Sequence, residues 1–574
     1  MTRLFTDPDR FSEDSLRGFV AANPEYVRAV PGGVVRARPV REGQVAVVVG
    51  GGSGHYPAFS GLVGPGLAAG AVVGNIFTSP SARQAESVAR AAQRGGGVLF
   101  SFGNYAGDRI NFGMASERLH DAGIPTRTVL VTDDVASAPP EARADRRGIA
   151  GDFVVFKVAG AAAEEGLDLD GVERAARRAN DATFSFGIAF AGCTMPGADQ
   201  PLFTVPERTM ALGLGIHGEP GISDHPMADA AEIATILVDR LLAERPAGAG
   251  GRVGAILNGL GATKYEELFL LWAHVADRLD SAGLTVVRPE VGELVTSLDM
   301  AACSLTLVWL DEDLERWWTA AADTPAFRRP RHTGPVEPVD ADEAGEADQA
   351  DLPVADADSR AAADQVLTVL RALHDTLHEH AEELGRIDAV AGDGDHGRGM
   401  CKGVDAAVRA AERVHARSGG AASVLTAAGD GWADEAGGTS GVLWGAGLRA
   451  WAGELGDHGR VDRHRVVAGA RAALTTITRL GKAEVGDKTL VDALTPLVEH
   501  LESGVAAGRS LAEAWQDAAE QAAAAARATA QLRPRVGRAR PLAERSVGTP
   551  DAGATSLALC AAAVARVLAT NTNQ

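Results

Sequence analysis

GPVEPVDADEAGEADQADLPVADAD, residues 334–358, is the stretch from which the organisation of the chain is read. It holds nine acids and three prolines, with no basic residue and no aromatic. Such a segment cannot bury enough apolar surface to offset the entropy of ordering, and its like charges extend it. A flexible acidic linker is therefore expected over 331–358, between a domain at 1–330 and another at 359–574. With 574 residues, more than one hydrophobic core is required in any case.

The two flanks differ in texture. Before the linker, QVAVVV (44–49), GVLFSF (97–102), the run at 126–131, ATFSFGIAF (182–190), TMALGLG (209–215), GRVGAIL (251–257) and SLTLVWL (304–310) read as strands. Helical spacing fills 81–94, 111–121, 226–243 and 264–280. Alternation of this kind predicts an α/β fold, here two α/β lobes. After the linker, alanine-rich periodic segments dominate at 360–384, 398–414, 462–480, 489–504, 509–530 and 553–569. With strand-like runs nearly absent there, an all-α bundle is expected.

Composition narrows the functional classes. The net charge is −21, and nine of the excess acids sit in the linker. A chain this acidic repels phosphate backbones and anionic lipid, so nucleic-acid and membrane-surface roles are not expected. Cys193, Cys303, Cys401 and Cys560 are far apart and form no C-x-x-C, which fits a reducing compartment. MTRLFTDPDRF places acids where a secretion leader is apolar, and the run Leu557 to Leu568 is interrupted by Arg566. A soluble cytoplasmic protein is expected.

Four motifs carry chemistry. VVVGGGSGHYP (47–57) is a strand entering glycines, where backbone amides can approach a ligand closely. His55 stands where a dinucleotide fingerprint would have its third glycine, so that motif is excluded. GNYAGD (103–108) puts Asp108 beyond a strand end, where α/β sheets place ligands. The plainer reading is that Asp108 caps a helix beginning near Asn111. GLGIHGEPG (213–221) holds His217 in a glycine-walled loop at another strand end.

The fourth is RIDAVAGDGDHGRG (386–399), with Asp388, Asp393 and Asp395 inside eight residues and glycines bending the chain around them. Three like charges so close call for a cation. A calcium loop counted from Asp393 fails, because Gly397 and Val404 stand where acids are needed. Mg²⁺, which shares its shell with phosphates, suits the set better. GGTSG (437–441), GDKT (486–489), GRARPLAERS (537–546) and DAGATS (551–556) offer hydroxyls, amides and arginines to phosphate oxygens. No G-x-x-x-x-G-K-[ST] is present, so a P-loop is excluded.

Taken together, GGGSGH, N-Y-x-G-D, GIHGEPG, GDGDHG, GGTSG, GDKT and GATS resemble the single-chain, ATP-dependent dihydroxyacetone kinase family, in the family's order and over nearly the whole chain. The resemblance implies a two-lobed ketose-binding half and a nucleotide half built as a barrel of eight helices. It implies that His217 attacks the substrate ketone to form a covalent hemiaminal, that His55 and Asp108 hydrogen-bond the substrate, and that Asp108 serves as base. Gly52, Ser53, Gly54 and Gly103 are implied as substrate contacts. Asp388, Asp393 and Asp395 are implied as ligands of two Mg²⁺ ions on the ATP phosphates. Implied nucleotide contacts are Asp395, His396, Gly397, Arg398, Thr439, Ser440, Gly486, Thr489, Arg538, Arg545, Asp551, Ala552 and Gly553. A homodimer joined through the ketose half is implied as well.

The sequence departs from the family pattern at Tyr56 and Phe59, which replace polar residues, and at Gly103 and Ala106, which replace Lys and Thr. These variants resemble the erythrulose kinase branch, so a four-carbon ketose is the expected substrate and dihydroxyacetone the alternative. Pro541 and Ala543 replace the family's usual Tyr and Gly. Rival readings are FMN cyclase activity on FAD, a ketose-sensing regulator without catalysis, and a phosphoenolpyruvate-dependent phosphotransferase subunit.

Overall fold

Apolar β-branched runs bounded by glycine become strands in the first half, and alanine-rich 3.6-residue periodicity becomes helices in the second. The computed structural model describes residues 2–330, 352–536 and 540–571. The chain divides into two compact units, Met1–Val336 and Glu337–Gln574. Most of the expected linker, residues 331–351, lies outside the described residues.

The first unit holds two large sheets. One is built from β1 (Val27–Val30), β2 (Gly33–Arg36), β3 (Ala46–Ser53), β4 (Gly70–Ile76), β5 (Val98–Gly103) and β6 (Thr126–Val131), in the order β1-β2-β4-β3-β5-β6. Its β4, β3, β5 and β6 run parallel. The other contains β7 (Thr183–Ala191), β8 (Thr209–Leu212), β9 (Ser223–Pro226), β10 (Arg252–Gly259), β11 (Thr285–Val286), β12 (Glu290–Gly292) and β13 (Ala301–Trp309). Here β10, β13, β7, β8 and β9 pair antiparallel, a departure from simple βαβ alternation.

Helices α1 (Phe11–Ala22), α2 (Ala82–Ala92), α3 (Ala106–Asp121), α4 (Gly151–Glu165), α5 (Leu169–Ala182), α6 (Ala230–Leu242), α7 (Tyr265–Ser281) and α8 (Glu312–Thr319) complete the unit. α4 is buried from Gly151 to Ala163 and touches strands of both sheets. A helix apolar on every side must lie in a core, and this one joins the two lobes into one.

Two boundaries differ from expectation and bear on function. The strand expected to stop at the glycines continues through them to Ser53. A Cβ on Gly50, Gly51 or Gly52 would come within 2.8 Å of Val72, Phe59 or the Thr78 amide, so glycine is needed for close packing in the strand itself. The helix expected near Asn111 begins at Ala106. Asp108 therefore sits inside the first turn of α3 and is not its N-cap, a position taken by Tyr105.

The second unit is a ring. Its long helices are α9 (Ala357–Glu379), α11 (His396–Ala416), α12 (Ala421–Ala436), α13 (Gly438–Leu455), α14 (Arg463–Gly481), α15 (Leu490–Ala506), α16 (Leu511–Ala528) and α18 (Ala552–Asn571), with α10 (Ala381–Asp388) and α17 (Ala543–Ser546) short. Neighbours in this sequence of eight pack on one another, and α18 packs back on α9 to close the circuit. Inside it, Trp432 stacks on Trp444 with centroids 5.0 Å apart.

By length and composition alone α18 is long and apolar enough to span a membrane, a longer apolar window than the run Leu557 to Leu568 suggested. Half of that window is buried in the protein, where α18 serves as a stave of the ring.

Candidate active site

The site in the first unit begins where β3 ends. Gly54 has φ +100°, a conformation that glycine adopts without strain, and the turn delivers His55 into the interior. His55 Nδ1 lies 2.7 Å from the Thr296 carbonyl, so Nδ1–H donates and Nε2 presents a lone pair. Burial, then the neighbouring His217, holds the His55 imidazolium down to about 3, so the ring is neutral.

His55 Nε2 faces His217 Nε2 at 3.0 Å. The other nitrogen of His217, Nδ1, lies 3.0 Å from Glu219 Oε1 and donates to it, while Glu219 Oε2 accepts the His217 amide. Burial alone would raise Glu219, but the hydrogen bond and charge of His217, helped by Arg147, hold it at about 2. Arg147 is itself paired with Asp134 at 2.8 Å. Aromatic edges close the surroundings: Tyr105 stands 4.8 Å from the His217 ring, and Phe77 stacks on His55 at 5.0 Å.

Asp108 completes this group. Its Oδ1 is buried with no partner, and burial raises its pKa although a Ser79 hydrogen bond and His217 work against that. An orphaned buried carboxylate oxygen is aimed at something the protein does not supply. Asp152, in the first turn of α4, is pushed well up by burial and by Asp133 and Asp108. It therefore stays protonated more readily and leaves the charge to its neighbour.

Gly52, Ser53 and Gly54 line a cavity of about 470 Å³ closed by α1, and Ser53 Oγ meets Ser12 Oγ at 2.6 Å. His55, His217 and Asp108 are not among the residues that line that cavity.

In the second unit, Asp388, Asp393 and Asp395 bring carboxylate oxygens within 4.8 Å of one another. The Gly394 amide donates to Asp388 Oδ2 at 2.8 Å and fixes the loop. A donor set of oxygens alone, open to solvent on one side, suits Mg²⁺ sharing its shell with phosphates.

These acids line a cavity of about 400 Å³ that also holds His396, Thr439, Ser440, Lys488, Thr489, Asp551, Ala552 and Gly553. The first residues of α11, α13, α15 and α18 all border it. Helix N-termini present unpaired amides and partial positive charge, which is what phosphate requires. Thr489 already caps α15 and Asp551 accepts from the Ala554 amide, whereas α11 and α13 have no side-chain cap. The amides of α11 and α13 are thus the ones left for a ligand.

Residues 17–326 match the Dak1 domain, and residues 390–566 match the DAK2 domain. The chain is 59% identical over 569 residues to the D-erythrulose kinase of Mycolicibacterium smegmatis, covering 98% of each. It is 56% identical to the L-erythrulose kinase of Pectobacterium atrosepticum, covering 100% of this chain and 97% of the relative. Among solved structures, the dihydroxyacetone kinase of C. freundii in complex with AMP-PNP and Mg²⁺ superposes with a TM-score of 0.59 at 30% identity, covering 98% of this chain and 99% of that one. The chain belongs to the dihydroxyacetone kinase family. It is a ketose kinase, a phosphotransferase.

In this kinase several residues expected at the nucleotide fall outside the lining of that cavity. Gly397 is buried, and a Cβ there would strike the Ala381 carbonyl at 2.0 Å, so it serves helix packing. Gly486 is held by Asp492 at 2.6 Å. Arg398, Gly486 and Arg545 do not line the cavity, and Arg538 lies outside the described residues. Sequence reasoning passed over Glu219, Arg147, Asp152 and Lys488. Glu219 and Lys488 were inside quoted motifs, two residues from His217 and one from Thr489, and that proximity was the available signal.

The family departures find physical places. The space beside Gly103 is taken by the Tyr105 ring, which a Cβ would meet at 3.0 Å. Ala106 is exposed at the start of α3, leaving room where a threonine side chain would stand. Phe59 packs against Phe156 and Gly51 and walls the apolar side of His55.

Proposed function

We propose that this kinase transfers the γ-phosphoryl group of ATP to a terminal hydroxyl of erythrulose, held meanwhile as a covalent hemiaminal on His217. The observation that carries this reading is the His55–His217–Glu219 chain, with 3.0 Å at each link. Since Nδ1 of both rings donates outward, the two Nε2 atoms need one proton between them. Because the His55 ring is neutral with Nε2 as acceptor, that proton is donated by His217, and once it passes to the substrate His217 Nε2 is a nucleophile oriented by Glu219.

Attack on the ketone carbon then forms the N–C bond. The carbonyl oxygen takes the proton that His217 Nε2 gives up as that bond forms, and His217 becomes an alkylimidazolium balanced by the Glu219 carboxylate. Polyols lack the carbonyl and are not captured. Asp108, with its unpartnered oxygen and raised basicity, removes the proton of the hydroxyl that becomes phosphorylated.

ATP and Mg²⁺ are the phosphoryl donor and metal. Asp388, Asp393 and Asp395 are the residues that would hold two Mg²⁺ ions, which neutralise phosphate charge when bound. The uncapped starts of α11 and α13, with Thr439 and Ser440, receive phosphate oxygens. Supporting the four-carbon substrate are the erythrulose kinases at 59% and 56% identity and the side chain absent at Ala106. A cytoplasmic location and a homodimer through the first unit belong to this reading, and light scattering of the purified protein tests the second.

The test is a coupled assay with D-erythrulose, L-erythrulose and dihydroxyacetone, the position of phosphate read by NMR. One erythrulose enantiomer is expected to give the highest kcat/KM. A clear preference for dihydroxyacetone over both enantiomers overturns the four-carbon assignment, and no ADP with any of the three overturns the activity.

A further inference from the structure

On the face of the helical unit formed by α9 and α11, two histidines and two aspartates converge outside the nucleotide cavity. His374 and His378 stand one turn apart on α9, and Asp405 faces them from α11. Asp405 Oδ1 lies 3.3 Å from His374 Nε2 and 2.8 Å from His378 Nε2. The two imidazole rings have centroids 4.5 Å apart, tilted by 41°. One donor atom from each of the three residues falls within 4.8 Å of the others. Ligands about 2.1 Å from a tetrahedral zinc are separated by about 3.4 Å, close to what is seen before any ion enters.

The three donor atoms converge on one point, as metal ligands do. His374 Nδ1 lies 2.9 Å from Asp375 Oδ1 and donates to it, which leaves its Nε2 with a lone pair pointing toward Asp405. With a dication in the middle, both Nε2 lone pairs and the carboxylate oxygen are satisfied at once. A carboxylate behind a ligating histidine is the usual support that fixes its tautomer. Cys401 adds a softer donor nearby: it precedes Asp405 by one turn, and its Sγ lies 3.6 Å from the Leu377 carbonyl.

We propose that His374, His378 and Asp405 form a second metal site, selective for a transition-metal dication of the zinc class. The two sites of the helical unit sort metals by ligand chemistry. Asp388, Asp393 and Asp395 offer hard oxygens, while this one offers two imidazoles and a carboxylate with a thiol close by. They are separate places on the fold, because Asp405 lies ten residues beyond Asp395, about 15 Å along α11. The occupied site pins α9, the first stave of the ring, to α11. Its effect falls on the stability of the ring and not on phosphoryl transfer.

The experiment is a titration of tag-free, full-length protein with ZnCl₂ against a chromogenic chelator, in excess Mg²⁺ so that the aspartate cluster is occupied. One tight Zn²⁺ site is expected. It weakens by about 100-fold in the double variant His374→Ala, His378→Ala, and by about tenfold in Asp375→Asn, which removes only the supporting carboxylate. Co²⁺ in place of Zn²⁺ gives an intense tetrahedral absorption band in the parent and none in the double variant. Zn²⁺ raises the melting temperature of the parent and leaves that of the double variant unchanged. Equal Zn²⁺ affinity in the parent and both variants overturns the proposal. So does loss of the tight site in Asp393→Asn with full retention in the histidine variants, which would place the metal in the aspartate cluster.

Discussion

The Nε2 atoms of His55 and His217 stand 3.0 Å apart, and in the proposed mechanism the proton between them leaves as His217 attacks. Glu219 holds His217 from the far side of the ring. Replacing Glu219 with Gln removes the negative charge that balances the alkylimidazolium, and kcat/KM is expected to fall by about 10²-fold. His217→Ala abolishes the ketose mass increment seen by mass spectrometry of intact protein; an unchanged increment assigns the nucleophile to another residue. Asp108 gives the pH dependence its sign. Its pKa is raised by burial, so on acidification it takes up a proton earlier than an exposed aspartate does. The acidic limb of kcat/KM therefore lies above the ordinary aspartate range, and it is missing from the residual activity of Asp108→Asn. At this scale the sequence was partly legible. His55, Asp108 and His217 stand out because glycines and strand ends surround them. Asp152 and Arg147 have no such marking, since an acid in an apolar helix and an arginine in a loop acquire meaning only when folding brings Asp108 and Glu219 beside them.

Helices α12 and α13 went unread as elements because glycine is scattered through both, at Gly429, Gly431, Gly445 and Gly447 among others. Glycine lowers helix propensity by up to about 1 kcal/mol per residue. Here the loss is offset by contact: a Cβ on Gly429 would meet the Gly445 carbonyl at 2.8 Å, and one on Gly445 would meet the Gly429 carbonyl at 2.5 Å. The two backbones approach so closely that tertiary packing overrides propensity. Trp432, fully buried against Trp444, fills the ring beside this crossing. Trp432→Ala is expected to destabilise the helical unit by about 3–5 kcal/mol, measured by denaturant unfolding, with ketose capture retained. At the cavity, Asp393→Asn is expected to weaken Mg²⁺-ATP binding in calorimetry while the hemiaminal mass increment persists. A loss of both would contradict the division of labour between the units.

Over the whole molecule, stability carries a mark of Lys157. This lysine is buried on α4, donates to the Trp317 carbonyl at 2.7 Å, and is lowered by burial and then by Arg329 to about 7. Above that pH the folded chain has released the proton while the unfolded chain, near 10.5, still holds it. The unfolded state binds more protons, so stability rises with pH from about 7. The rise is opposed beyond about 9, where the buried Cys303 thiol, pushed up to about 12, holds a proton that the unfolded chain gives up. Urea midpoints at pH 7 and 9 check this, and Lys157→Met is expected to flatten the difference. The division into an α/β and a helical part was legible because texture changes sharply on either side of the acidic segment. Closure of the ring was legible through the family resemblance and not through residue texture, since α18 meets α9 across nearly the full length of the unit. That closure imposes an order on biosynthesis. Asp551, Ala552 and Gly553, at the start of the last stave of the ring, furnish one wall of the cavity around the aspartate cluster, so that cavity has no fourth side until α18 has been made. A chain cut short before α18 is left able to trap sugar yet unable to phosphorylate it, a sequestering fragment where the full-length product would turn over.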